Sequence, residues 1–168
     1  ECWDAVAKLR RTGGRVIITT MGDVVDGDHN GTSELVTTRR AEQERIFIDC
    51  LDWAMQRIES DKSTDLFQSI SGTPVHVGEL AQSEKRINND MGGSGVYNRL
   101  KFDVNGVKFD VAHKRFGVGR RAWTNTNSMT AKLRSMIYSL LRSKETVPDY
   151  IIGAHWHKYY NVPIEEGK

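Results

Sequence analysis

Three carboxylates and one histidine fall within seven residues near the start of the chain, at Asp23, Asp26, Asp28 and His29. Carboxylate oxygens and imidazole nitrogens together form a ligand set that divalent transition metals favour. The β-branched run at 15–20 before them predicts a buried strand, and Gly22 and Gly27 let the chain turn where that strand ends. Open α/β sheets bind ligands at the carboxyl ends of their strands, so the segment is a candidate metal site. Taken alone, the segment is better explained as a polar turn in which Asp23 caps a helix.

The remaining histidines are His76, His113, His155 and His157. Apolar runs at 69–75, 107–112 and 150–154 predict strands that lead to them. In an extended segment residues i and i+2 point the same way, so His155 and His157 can both face one site. If His155 and His157 are considered alone, they are more simply explained as two exposed residues of a surface strand. Several strands that deliver Asp and His to one sheet edge would build a centre with ligands about 2.0–2.2 Å from the ion.

The order of these blocks along the chain resembles that of the calcineurin-like metallophosphoesterases. The blocks here are Gly22-Asp23-x-x-Asp26, Gly72-x-x-x-His76, His113 and Gly153-x-His155-x-His157. The family has Gly-Asp-x-x-Asp, Gly-Asn-His-Asp/Glu, a lone His and Gly-His-x-His. Members encoded by phages and prophages often carry Gly-Thr-x-x-His in the second place, as this chain does. The resemblance covers residues 15–157.

The chain departs from the family pattern in three places. The family's first block, Asp-x-His at the end of a strand, is missing, because the chain opens in what its pattern predicts to be the following helix. No Asn stands between Gly72 and His76, and Ala154 adds a residue before His155. We therefore expect a fragment whose metal site is incomplete. The implied fold is α/β, a metallophosphoesterase-like β-sandwich of mixed sheets flanked by helices, in one partial domain over 1–168 that is incomplete at both ends.

The resemblance implies a pair of divalent cations held by residues from several blocks. Asp23 would bridge the two ions, because a carboxylate offers one oxygen to each and its charge offsets their repulsion. His113 and His155 would bind the second ion, and His157 the first. These ligand types accept Mn, Zn or Fe and do not select among them.

The other implied roles concern the substrate and the shape of the site. His76 matches the family's catalytic acid; the alternative is that Pro74 and Val75 are an insertion that displaces it. Thr73 stands near the place of the missing Asn, where it would offer a weaker oxygen ligand or support the metal ligands. Asp26 is expected to shape its turn by hydrogen bonds. The candidates to bind substrate phosphate are three arginines of one basic loop, Arg115, Arg120 and Arg121. Guanidinium groups match phosphate oxygens, although a solvated loop explains these arginines equally well.

The implied function is a metal-dependent phosphoesterase that hydrolyses phosphomonoester or phosphodiester bonds with a water activated by two metals. A DNA exonuclease or endonuclease of the same superfamily is an alternative. The basic loop favours the nuclease, but the formal net charge of +2 does not. A non-catalytic binding module that keeps the fold without the metals is the second alternative, and the missing Asp-x-His and Asn favour it.

Length and composition agree with one ordinary globular domain, since the chain has 168 residues, 38% hydrophobic and 27% charged. No apolar run approaches the roughly 20 residues of a membrane helix, so no membrane partner is expected. Cys2 and Cys50 match no metal or redox spacing, which favours the cytoplasm, or the host's cytoplasm for a phage protein. The expected partner is a phosphoester substrate, with nucleic acid as a further option; the oligomeric state is not predicted.

Hydrophobic periodicity predicts the elements that carry these residues. Helices are expected at 2–11, from 37 or 38 to about 60, and at 124–143; strands are expected at 66–71, 97–104, 107–113 and 150–153. Asn105-Gly106 suits the type I′ turn of a hairpin. Residues 80–91 are polar and only weakly helical. Seven apolar residues of the second helix are expected in the core: Ile46, Phe47, Cys50, Leu51, Ala54, Met55 and Ile58.

Overall fold

The computed structural model of the protein describes residues 2–27, 35–114, 116, 125–155 and 159–164. Contacts between Cα atoms divide the chain into two compact units, Glu1–Asn98 and Arg99–Lys168. Each unit contains one three-stranded sheet. None of the described helices is long and apolar enough to cross a lipid bilayer.

The first unit contains a parallel sheet in the order β1-β2-β3, formed by β1 (Ile17–Thr20), β2 (Leu66–Ile70) and β3 (Val96–Tyr97). Its helices are α1 (Cys2–Arg10), α2 (Arg40–Arg57), α3 (Pro74–Val77) and α4 (Gln82–Asp90), with a 3₁₀ turn at Glu79–Ala81. Thr20 pairs with Ser69, and Ser69 pairs with Val96. Because the strands run in the same direction, their carboxyl ends lie at one edge of the sheet.

The core of the first unit lies between the sheet and the helices α2 and α4. Phe67 of β2 packs with Met55 of α2, with Ile87 of α4 and with Met91 just after α4, and Ile18 of β1 packs against this cluster. Burying each such side chain stabilises the fold by about 1.5–3 kcal/mol. This core sets the distance between β1, β2 and α4, which carry the residues of the candidate site.

Helix α2 buries a narrower stripe than its periodicity predicts. Ala54, Met55 and Ile58 are buried as expected, whereas Ile46 is 46% exposed and Cys50 is exposed. The prediction that Ile46 and Cys50 lie in the core is wrong. These two residues and Trp53 recur at i, i+4 and i+7, so they share a face of the helix that differs from the buried one. Among the described residues, the sheet and α4 do not cover that face.

Asp65, which precedes β2, connects that strand to three other segments of the first unit. Its side chain is 3% exposed and forms two 2.5 Å contacts with the Arg10 guanidinium at the end of α1. The backbone N–H groups of Val16 and Asp61 donate to it at 2.9 and 2.8 Å, and the Ser60 hydroxyl donates at 2.9 Å. Burial acts to raise the pKa of Asp65, but these donors outweigh it and lower the pKa to about 2.

The second unit contains a mixed sheet in the order β4-β5-β6, formed by β4 (Leu100–Val104), β5 (Val107–Ala112) and β6 (Tyr150–Gly153), and one described helix, α5 (Asn125–Arg142). Strands β4 and β5 form the expected hairpin. Asn105 (φ 53°) and Gly106 (φ 88°) both have the left-handed conformation that a type I′ turn requires. Strand β6 is parallel to β5 and pairs Gly153 with Ala112.

Both faces of the second sheet are occupied by specific contacts. The rings of Phe102, Phe109 and Tyr150 stack across the three strands, with centroids 5.2 and 5.3 Å apart. On the opposite face, the Arg99 guanidinium donates to both carboxylate oxygens of the fully buried Asp110, at 2.8 and 2.5 Å. A bidentate pair of this kind fixes the geometry as well as the charge.

The architecture is α/β, as the sequence predicts, with one parallel and one mixed sheet. Strand β6 has its predicted bounds, whereas α2 begins at Arg40 rather than at 37 or 38. The Thr37 hydroxyl accepts from the Arg39 N–H at 3.2 Å and donates to Glu42 at 2.5 Å, so it holds the chain just before the first helical turn. The metallophosphoesterase-like sandwich and the single domain over 1–168 remain predictions.

Candidate functional site

The turn after β1 holds Asp23 in a conformation that few residues adopt. Gly22 (φ 83°) and Gly27 (φ 76°) have positive φ, and so has Asp23 (φ 50°). Aspartate enters the left-handed region more easily than most residues, but the conformation still costs about 1–3 kcal/mol. The turn therefore needs contacts outside itself to keep Asp23 in this geometry.

The loop after β2 supplies those contacts. The backbone N–H and the hydroxyl of Thr73 both donate to Asp23 Oδ1, at 2.6 and 2.9 Å. The two loops meet because β1 and β2 are adjacent parallel strands with Thr20 level with Ser69. The Thr73 hydroxyl therefore orients the Asp23 carboxylate; its predicted part in shaping the site remains a prediction.

His76 lies on α3, close to the same turn. The run at 69–75, predicted as a strand, ends at Ile70, and a short helix begins at Pro74, whose fixed φ suits a first helical position. The ring atom Nδ1 lies 2.7 Å from the backbone oxygen of Asp26. A carbonyl oxygen only accepts, so Nδ1 carries the hydrogen and Nε2 is the second functional nitrogen. Nε2 lies 3.9 Å from Oδ2 of Asp23.

Packing under α3 explains how His76 comes so close. Val77 is fully buried and packs with Val25 of the preceding turn. A Cβ on Gly27 would lie 2.6 Å from the backbone oxygen of His76, so only glycine allows the two segments to approach. The Asp26 carboxylate contributes a weaker contact, with Oδ1 3.9 Å from His76 Nδ1. Asp26 thus orients His76 mainly through its backbone carbonyl.

Glu84 of α4 is a member of this cluster that the sequence reasoning missed. It is 0% exposed, and its Oε1 accepts from the Gly72 N–H at 3.0 Å. Gly72 itself lies against the Asp23 backbone, since a Cβ on it would come within 2.2 Å of the Asp23 nitrogen. Burial raises the pKa of Glu84, and the Asp23 carboxylate raises it too, against the lowering effect of the backbone donors. One signal for the residue existed: Glu84, Ile87 and Met91 recur at i, i+3 and i+7.

In the second unit, His113 and His155 follow β5 and β6, which are parallel neighbours. The Ala154 N–H donates to the His113 backbone oxygen at 2.9 Å and extends the ladder to the two histidines. His113 is 4% exposed, and its Nε2 lies 3.2 Å from Nδ1 of His155. The rings meet at 79°, with centroids 5.1 Å apart. His155 has φ 80°, a strained conformation for a histidine.

This pair of nitrogens fits two ligands of one cation. Nitrogens bound at about 2.1 Å in tetrahedral or octahedral geometry lie about 3.0–3.4 Å apart, which includes the observed 3.2 Å. The remaining predicted site residues are His157 as a metal ligand and the phosphate-binding candidates Arg115, Arg120 and Arg121. These residues lie outside the described residues, as do Asp28 and His29, for which a solvent-exposed loop is the expectation.

The described residues thus form two groups of candidate site residues, one in each unit. The first unit brings Asp23, Thr73, His76 and Glu84 together at one sheet edge, and the second unit pairs His113 with His155. Both groups are built from residues about 40–60 positions apart in the sequence. No family model and no curated protein matches the sequence.

Proposed function

We propose that the protein is a metal-dependent phosphoesterase that hydrolyses phosphomonoester or phosphodiester bonds with two divalent cations. The observation that carries the proposal is the separation of 3.2 Å between the ring nitrogens of His113 and His155. That separation is within hydrogen-bond distance, and it also suits two nitrogens that bind one cation. His155, at φ 80°, has the strained backbone that is common at functional sites. These two histidines are also the third and fourth blocks of the sequence pattern that resembles the family.

Asp23 is the proposed bridging ligand, and its surroundings support that role. Two donors from Thr73 hold Oδ1, so the orientation of the carboxylate is determined before a cation binds. The proposal requires Asp23 from the first unit to share its cations with His113, His155 and His157 from the second. This requirement is what the experiments below test.

The chain's own groups would orient the substrate and transfer the proton. Divalent cations stabilise the charge that develops on phosphoryl oxygens and acidify water. His76 is the proposed acid: because the Asp26 carbonyl accepts from Nδ1–H, the atom left to carry a proton to the leaving oxygen is Nε2. Nε2 lies beside Asp23 Oδ2, at 3.9 Å, so the acid and the proposed ligand face the same space.

The first experiment replaces Asp23 with Asn. The Asn side chain keeps the size and the acceptor for Thr73 but loses the charge that offsets two cations. We expect metal affinity and phosphodiester hydrolysis to fall by at least about 100-fold, since even the partners of metal ligands contribute 10–100-fold. Metal content by mass spectrometry and cleavage of bis-p-nitrophenyl phosphate with Mn²⁺ or Zn²⁺ measure the two effects. Asp49→Asn, an exposed carboxylate of α2, is the control.

The outcomes separate the three candidate functions. A fully active Asp23→Asn protein would rule out the bridging role. Cleavage of labelled DNA without release of phosphate from small esters would instead support the nuclease, which the basic loop carrying Arg115, Arg120 and Arg121 favours. Fewer than two tightly bound equivalents of metal, with no hydrolysis of any ester, would support a non-catalytic binding module.

A further inference from the structure

The burial of the Glu84 side chain is not explained by a contribution to folding stability. The side chain is 0% exposed, and Oε2 has no hydrogen-bond partner among the described residues. An unpaired carboxylate oxygen in the interior opposes folding, and an apolar residue of similar size would avoid that penalty. A buried glutamate is therefore expected where its acceptor does something that an apolar side chain cannot do.

The function of the acceptor follows from its backbone partner and from what that partner touches. Glu84 accepts from the N–H of Gly72, which lies in the loop after β2. Gly72 packs against the turn after β1, so one carboxylate on α4 holds the loop after β2 at the point where the two loops meet. Thr73, the residue after Gly72, then donates twice to the Asp23 side chain.

The approach of these segments is close enough to exclude any other residue at Gly72. A Cβ there would lie 2.2 Å from the Asp23 backbone nitrogen, 2.4 Å from Asp23 Oδ1 and 2.8 Å from Glu84 Oε1. Because Gly72 has no side chain, the loop after β2 can lie against the turn after β1, and the Glu84 carboxylate binds the Gly72 N–H in that position. The two bonds from Thr73 then reach Asp23, which has φ 50°, a strained value for a residue other than glycine.

We propose that Glu84 is a positioning residue that holds the backbone of Gly72, and through the neighbouring Thr73 the Asp23 carboxylate, in an orientation that suits a divalent cation. Glu84 acts through hydrogen bonds to the backbone and does not touch the cation or the substrate. The part that concerns the cation rests on the proposed function; the part that concerns the backbone does not.

The test compares Glu84→Gln, which keeps an oxygen acceptor, with Glu84→Leu, which has none. Amide hydrogen exchange in the metal-free protein reports on the Gly72 and Thr73 N–H groups directly, and titration with Mn²⁺ or Zn²⁺ reports on affinity. We expect Glu84→Leu to speed exchange at both amides at least about tenfold and to weaken cation binding about 10–100-fold. Glu84→Gln should stay within about threefold of the wild type in both measurements.

Two further variants keep the test decisive. Glu44→Leu removes the other glutamate that is buried among the described residues of this unit, which accepts from the Ser83 hydroxyl at 2.7 Å and pairs with Arg86. It should lower the unfolding temperature without changing exchange at Gly72 or cation affinity. If Glu84→Leu does not fold, Glu84→Asp takes its place, because the shorter side chain keeps the charge but does not reach the Gly72 N–H. We expect Glu84→Asp to show the same faster amide exchange and the same weaker cation binding.

The proposal is overturned if Glu84→Leu or Glu84→Asp retains both the amide protection and the affinity. It is also overturned if Glu44→Leu has the same effects, or if Glu84→Gln is as impaired as Glu84→Leu. A wild-type protein that binds no cation would overturn the proposed function instead. The exchange rates would then still decide the backbone role: faster exchange in Glu84→Leu supports it, and unchanged exchange rejects it.

Discussion

Single residues at the candidate site have conformations that ordinary folding does not favour. Asp23 and His155, two of the proposed metal ligands, have φ values of 50° and 80°. Such strain persists only where surrounding contacts determine it, and it concentrates at functional sites. Local sequence explains part of it, since Gly22 and Gly27 flank Asp23. The rest depends on the loop after β2, where Thr73, 50 residues further along the chain, donates to Asp23.

Gly72 provides the clearest prediction at this scale. A Cβ on Gly72 would lie 2.2 Å from the Asp23 nitrogen, so Gly72→Ala must push the two loops apart. We expect it to lower the free energy of unfolding by about 1–3 kcal/mol, as overpacking does, and to weaken cation binding. Chemical denaturation and metal titration measure the two effects.

Gly14→Ala is the matched control for Gly72→Ala. A Cβ on Gly14 would meet its nearest neighbour, the Leu9 oxygen, at 3.6 Å, an ordinary contact. This change should alter stability by no more than about 1 kcal/mol and leave cation binding unchanged. Equal effects of the two substitutions would mean that the close approach at Gly72 has no special importance.

The elements of the first unit are joined by buried charge as well as by the apolar core. Asp65 connects the end of α1, the segment before β1 and the segment after α2, and each connection is a donor to one carboxylate. These donors lower its pKa to about 2 although burial acts against them. Its contribution to folding must therefore depend on pH.

The direction of this pH dependence follows from the difference between the pKa of Asp65 in the folded and in the unfolded protein. The pKa of Asp65 is about 2 in the folded protein and about 3.9 in an unfolded chain, so its stabilisation is complete above about pH 5 and is lost as the pH falls towards 2. We expect Asp65→Asn to be less stable than the wild type by about 1–2 kcal/mol at pH 6. In urea unfolding, the difference in free energy of unfolding between the two proteins should become smaller as the pH falls from 6 to 2.5. A constant difference, or one also seen in Asp49→Asn, would contradict the assignment.

At the scale of the whole molecule, the proposed metal ligands come from two units that each have their own sheet. A ligand that binds only the folded state stabilises it by about 2.7 kcal/mol at 100 times its dissociation constant. We expect Mn²⁺ or Zn²⁺ to raise the unfolding temperature of the wild type. Asp23→Asn in the first unit and His113→Asn in the second should each abolish that rise, as measured by thermal unfolding with and without metal.

Asp49→Asn should keep the metal-induced rise in full, because its carboxylate is exposed on α2. If only one of the two ligand substitutions removed the rise, the cations would not be shared between the units. The metal would then be bound by one unit alone, and the dinuclear centre would have to be abandoned.

Local sequence was enough to predict the elements whose geometry is itself local. Asn105 and Gly106 determine the hairpin turn, and alternation determines the strands on either side of it, because both depend on neighbours within a few residues. The four residues of β6 were predicted without error for the same reason. Periodicity was less reliable for α2, since which face of a helix is covered depends on distant partners, and Ile46 is exposed.

The sequence by itself determined which residues can do chemistry and that strands lead to them: Asp23, His113 and His155 each follow a strand that the pattern predicts. Only the tertiary structure decided that Thr73 bonds Asp23, that the Asp26 carbonyl orients His76, and that Glu84 is buried beside them. Those contacts join residues about 50–60 positions apart. They form because parallel strands end at one edge and a packed core sets the spacing of the loops, neither of which any local pattern encodes.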